Sequence, residues 1–304
     1  MTNVVILVVV SATSLVVMVL LAKMLYYETW LTSMEMQALS ESRATKSRLF
    51  SFSSKPRFLD NQLSVLIKKE FWQFFREPSQ WIHLGIIAML VMVFVVSVQQ
   101  VNLKLSQPFL QTVSYLVVYT FNAFLISSIA LRFVYPMISS EGPAFWIIRS
   151  APVSERKFYW MKFLFAALPI VLLGEMLVIE SHQPLAHYHA LIVIASASLF
   201  FVMLALVGMN LSLGAYFSDF KESNPIKVAS SQGATITFLF TVLLLIALVA
   251  ILVLPLLRYF DELMKGFVVT YGILYEALLL IIIISIGVLL LSMVIGMRAL
   301  RRDL

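Results

Sequence analysis

The sequence predicts an all-α, polytopic membrane protein of about seven transmembrane helices. Three observations carry this. Hydrophobic residues make up 61% of the chain and charged residues 12%, against roughly 25% charged in a soluble domain. Apolar runs long enough to cross a hydrocarbon core of ~30 Å, which takes ~20 helical residues, recur along the whole chain. Lys and Arg are distributed unequally between alternate connections, the signature of membrane topology. Strand-type alternation is absent from the apolar runs, which disfavours a barrel.

The first apolar run, Val4 to Ala22, begins directly after Met1, has no basic leader and shows no small-residue cleavage site before Lys23. It reads as a retained extra helix over 1–27, not a signal peptide. Residues 28–61 contain ALSESRATKSRLFSFSSKPR, a Ser-rich and basic stretch that buries little apolar surface and reads as a solvated linker.

Over 62–80 the pattern changes. Leu63, Leu66, Ile67, Phe71, Phe74 and Phe75 recur at helical spacing, Lys68, Lys69, Gln73, Arg76 and Glu77 fill the other side, and Pro78 stops the helix. Aromatic residues opposite basic ones suit a helix lying in the membrane interface, anchored by Trp72 and Trp81. A cytosolic helix packed on protein is the alternative.

The remaining chain, 81–304, holds six apolar stretches, about 81–101, 109–135, 161–181, 189–217, 232–257 and 266–297. The last is overlong, and its start is expected to form a bent or re-entrant piece. Of the 22 Lys and Arg residues, 19 fall at Lys23, in 28–80, 132–162, 216–231 and the tail, and three (Lys104, Arg258 and Lys265) fall on the other side. This bias puts the first set in the cytosol, the N-terminus outside and the C-terminus inside. The net charge of +6 is therefore read as topology and not as a nucleic-acid footprint.

The motifs exclude several chemistries. There is no G-x-x-x-x-G-K-[ST], no H-E-x-x-H, no G-x-S-x-G and no cysteine. The chain is not expected to be an enzyme or to bind a cofactor, and any energy for work must come from a partner or an ion gradient. Glu175 and Glu276 fall in predicted spans, where a carboxylate costs at least ~2.5 kcal/mol and so marks either a polar path or a helix-packing hydrogen bond. Glu180 lies nearer the outer end, and Arg132 sits where it can snorkel to headgroups. His182, His187 and His189 crowd an outer turn beside Glu180. Their spacing matches no strong metal motif, and a polar turn is the expected reading.

The loop 136–160 is richer than a reversal requires. Pro136 is expected to end the preceding helix, Ser139 or Ser140 to cap a new one with Glu141 near its positive end, and Pro143 to sit in its first turn. Ala144–Ile148 supplies a short apolar surface, and Pro152 follows it. Spacing alone leaves two readings equal: a rigid element that contacts a cytosolic partner, or an interfacial helix that seals the bundle.

The strings KEFWQFFREPSQ, RFVYPMISSEGPAFWIIRSAPVSERKF and GAYFSDFKESNP, in this order of elements, resemble the type-2 ABC transporter permease superfamily, in particular a bacterial branch of ABC exporters. The resemblance covers about residues 62–257. It implies a six-helix permease core over 81–304, preceded by a connecting helix with Lys69, Glu70 and Arg76 in its K-E and R-E-P pattern. The loop that separates the first two core crossings from the third would be the coupling helix, with Glu141, Gly142, Phe145, Trp146, Arg149 and Pro152 in its motif. It further implies a bacterial plasma-membrane exporter in which a separate ATP-binding subunit carries ATP and Mg. A second permease half, a homodimer mate or a companion chain, would complete the channel. Two other readings stand beside it: a non-transporting membrane sensor or scaffold, and an ion-coupled carrier using Glu175 or Glu276.

Overall fold

The computed structural model describes residues 12, 13, 15, 16, 18–20, 23, 61–100, 107–150, 154–185, 189–222, 224–268 and 271–301. It divides into two units, Met1–Lys55 and Pro56–Leu304. In the first unit the described residues, between 12 and 23, are helical. Most of the expected 1–27 span and the linker up to residue 60 lie outside the described residues.

The second unit is helical throughout its described residues. Helix α1 (Asn61–Arg76) is followed at once by α2 (Pro78–Gln100). Pro78 opens α2 because a first-turn residue needs no intrahelical donor. Helix α3 (Pro108–Ile129) runs on through irregular turns to a short helix α4 (Phe145–Ser150). Helix α5 (Glu155–His182) is capped by Ser154, whose hydroxyl accepts from the Lys157 N–H. Helix α6 (His189–Tyr216) leads to a small turn helix α7 (Pro225–Val228). Helices α8 (Gln232–Met264) and α9 (Gly272–Leu300) close the unit.

Six helical segments are long and apolar enough to cross a membrane: Gln80–Gln100, Pro108–Gly142, Glu155–His182, Ala190–Tyr216, Gln232–Met264 and Gly272–Leu300. The fold is therefore an all-α, multi-spanning membrane fold, as in-membrane backbone must satisfy its own hydrogen bonds. Two expectations change. Residues 266–268 form no re-entrant helix: α8 extends to Met264, Lys265 and Gly266 make a turn with Gly266 at φ 71°, and α9 starts at Gly272. Pro136 does not end the third helix either. A proline N–H is missing in any turn, but here the chain has already loosened before reaching it.

Helix α6 is the centre of the bundle, packed against α3, α5, α8 and α9. Leu191, Ile194, Leu199, Val202, Met203, Leu206 and Leu211 are fully buried along it. Small residues on α6 admit neighbouring backbones closely, the usual device where lipid removes a hydrophobic driving force between helices. Gly214 is the tightest case: a Cβ there would lie 2.1 Å from the Tyr135 carbonyl oxygen. Helix α2, in contrast, is peripheral, with Ile82, Ile86, Met89, Met92 and Val93 exposed to the surroundings.

Candidate functional site

The site is assembled at the end of α3. Beyond Ile129 the helix widens into a π turn, Ala130–Val134, in which the Tyr135 N–H reaches back five residues to the Ala130 carbonyl. It then tightens into two 3-10 turns, Tyr135–Met137 and Ser139–Ala144. Gly142 breaks the run at φ 61° and ψ −159°, a region open essentially to glycine alone. This reversal sends the chain into α4 while turning Glu141 inward. Neither serine caps a helix. Ser139 Oγ accepts the Asp219 N–H at 3.1 Å, and Ser140 Oγ donates to the Pro136 carbonyl at 2.8 Å.

Glu141 meets three other charged residues below the bundle surface. Lys162, on the second turn of α5, has a fully buried side chain. Its Nζ is paired with the Glu141 carboxylate, with Glu70 Oε1 at 2.9 Å and with the Met137 carbonyl at 2.9 Å. Lys69 pairs with the other Glu141 oxygen and lies 3.6 Å from Glu70. Gln73 adds a hydrogen bond to the Ser140 carbonyl at 2.9 Å. Two lysines and two carboxylates thus cancel in charge while joining α1, the coupling loop and α5. Buried charges are tolerated only in such paired and hydrogen-bonded sets.

Helix α4 is tied down on every other side. Phe145 is buried, stacked on Phe220 with ring centroids 4.8 Å apart and near Phe158 at 6.0 Å. Arg149 donates to the Leu300 carbonyl at 3.2 Å, and Arg301 pairs with Glu155 at 2.9 Å. The loop is therefore fastened to the 217–231 connection and to the last turn of α9. Trp146, by contrast, is 67% exposed. Of the residues placed in the coupling motif by resemblance, Glu141, Gly142 and Phe145 are turned inward, Trp146 and Arg149 are on the surface, and Pro152 lies outside the described residues.

Of the connecting-helix residues, Lys69 and Glu70 join the network and Arg76 is exposed. The aromatic side of α1 faces outward. Phe71 and Phe75 lie 4.4 Å apart, and Trp81 sits 5.0 Å from Phe75, all three exposed. That surface is apolar at the cytosolic end of the spans, in keeping with an interfacial helix.

The intramembrane carboxylates lie apart from this site. Glu175 accepts a hydrogen bond from Ser196 on α6 at 2.5 Å, and Glu276 is exposed on the second turn of α9. His182 corrects the expectation of a polar outer turn. It is the last residue of α5 and fully buried, with Nδ1 2.8 Å from the Val178 carbonyl and its ring edge-on to Tyr115. The local helix reclaims it because that carbonyl lies one turn back. His187 is outside the described residues, as is the His189 side chain. Among the described residues no group of three His, Cys, Asp or Glu gathers to hold a metal.

Sequence reasoning missed Lys162. The signal was present: YWMKFLF puts one lysine inside an otherwise apolar run, and a lysine so placed demands a carboxylate. What the string does not give is that the carboxylates come from residues 70 and 141.

Comparison with known proteins adds one finding. No curated protein and no solved structure matches the chain. A family model described as "Putative ATP-binding cassette" matches residues 1–303, nearly the whole length. No nucleotide-binding loop occurs in the sequence, and six spans occupy most of the match, so this member of the family is of the membrane-embedded, permease type. With its full-length match and its helical spans, the chain belongs to this ATP-binding cassette family as a polytopic membrane component.

Proposed function

We propose that the chain is the transmembrane permease subunit of an ATP-driven exporter, forming half of a translocation path. Helix α4 takes the role of coupling helix toward a separate ATP-binding subunit, which carries ATP and Mg. The observation that carries this reading is the buried network of Lys69, Glu70, Glu141 and Lys162 behind an exposed Trp146. A contact that only sealed the bundle would need no such attachment. A contact that transmits force needs an outward face and a stiff link to the spans. Here Trp146 supplies the face, and the network links it to α1 and α5. Glu141 belongs to the link and Trp146 with Arg149 to the docking face.

On this reading the chain sits in a bacterial plasma membrane with its C-terminus and α4 in the cytosol, and a second permease half completes the channel. The Lys and Arg bias supports that orientation. The test is a gentle pull-down from native membranes, with all co-purifying chains identified and ATP hydrolysis assayed. A stoichiometric P-loop ATPase, lost on Trp146→Ala, is the expected result. Preparations that preserve other membrane complexes yet contain no ATPase would overturn the proposal in favour of a sensor or scaffold.

A further inference from the structure

A cavity of about 250 Å³ lies beside the ion network, walled by α1, α2, the end of α3 and α5. Its lining is ordered by depth. Glu70, Gln73, Gln80 and Ser140 stand at the end where α1 meets the coupling loop. Leu84, Ile129, Phe165, Ile170 and Leu173 lie further along the spans. From Phe165 to Leu173 the α5 wall rises about 12 Å at 1.5 Å per residue. Leu173 is itself exposed on the outer surface of the bundle, so the deep end opens sideways, between α5 and the peripheral α2. Two helix irregularities make the space: the π turn Ala130–Val134 in one wall and Pro169 in the other. Regular helices would close such a gap by interlocking side-chain ridges.

We propose that this cavity is a binding site for one acyl chain of a zwitterionic phospholipid of the cytosolic leaflet, with an amine-bearing headgroup at the Glu70 end. An apolar shaft with a polar mouth, open laterally at span depth, matches an amphiphile and not a water-soluble ligand. The mouth carries a carboxylate and amides, and no Lys or Arg lines the cavity. A crevice that shares Gln80 and Phe133 with it is bordered by Arg132 and His83. Carboxylate on one side and guanidinium on the other suit an ammonium and a phosphate carried by the same headgroup. The exposed Phe71, Phe75 and Trp81 place this end of α1 where headgroups begin. The site is independent of any ATP-binding partner and stands whether or not the coupling role does.

The test uses the full chain in lipid nanodiscs containing phosphatidylethanolamine with a photoactivatable diazirine on one acyl chain. Labelled residues are mapped by mass spectrometry. Cavity positions Ile129, Phe165 and Ile170 are expected to be labelled about fivefold more than the outward-facing Met92, Leu168 and Leu172, a preference of roughly 1 kcal/mol. Leu84→Trp, on the peripheral helix, should remove the excess while leaving the outward positions unchanged. The same probe on phosphatidylglycerol should show less excess. Equal labelling of cavity and outward positions, an excess that survives Leu84→Trp, or a preference for phosphatidylglycerol would each overturn the assignment. Displacement of the probe by a single-chain detergent at equal mole fraction would overturn it in favour of a detergent-like occupant.

Discussion

Lys162→Met puts the ion network to the sharpest test. The side chain is fully buried, and its removal leaves Glu70 and Glu141 facing each other with Lys69 as their sole cation. The set passes from neutral to one uncompensated negative charge, and the Met137 carbonyl loses its lysine donor. Breaking a buried ion pair from one side costs about 3–5 kcal/mol. Methionine nearly preserves the volume, so little of this loss comes from packing. The carboxylates are the cause, so Lys162→Met with Glu70→Gln should recover part of it, on the order of 2 kcal/mol, because Glu141 keeps Lys69. Unfolding by SDS in bicelles, followed by tryptophan fluorescence across a double-mutant cycle, measures the interaction directly. A single variant within about 0.5 kcal/mol of wild type, or a double variant no better than the sum of the two single losses, would refute the reasoning.

Three further outcomes are expected. Trp146→Ala should leave unfolding unchanged, since the side chain is exposed, yet weaken association with the ATP-binding subunit about tenfold by pull-down titration. Gly142→Ala should cost about 1–3 kcal/mol by the same unfolding assay, since its φ of 61° is strained for any side chain even though space for a Cβ exists. Gly214→Ala drives a Cβ into the backbone of Tyr135 and should destabilise by about 1–3 kcal/mol or more, whereas Gly85→Ala on the open face of α2 should be near neutral.

The spans were legible because the bilayer is a demanding solvent. Ends of helices such as 81–101 and 189–217 follow from where apolar side chains stop, and the structure places them within a residue or two. The amphipathic segment at 62–77 was equally plain, since its aromatic residues repeat at helical spacing. Less legible was everything that depends on tertiary neighbours. The third span runs on past Pro136 because it unwinds through a π turn first, and no propensity announces one. Glu141 reads as a residue near a helix start, whereas Gly142 turns its side chain toward Lys162. His182 reads as part of a polar turn, but the last turn of α5 and Tyr115 enclose it. Each of these reversals involves a polar group whose partner is distant in sequence or hidden by a backbone irregularity.

The π turn at Ala130–Val134 has a geometric meaning beyond the room it makes. It accommodates one residue more than an α-helix would at the same height. Shortening this segment by a single residue would restore α-geometry and change the helical phase of everything after it by about 100°, with a shift of about 1.5 Å along the axis. Tyr135 would then swing away from Gly214, and Glu141 away from Lys162. The orientation of the cytosolic loop is thus set by a phase offset written into five residues of the third span, and any motion of that offset would reach the loop as a screw.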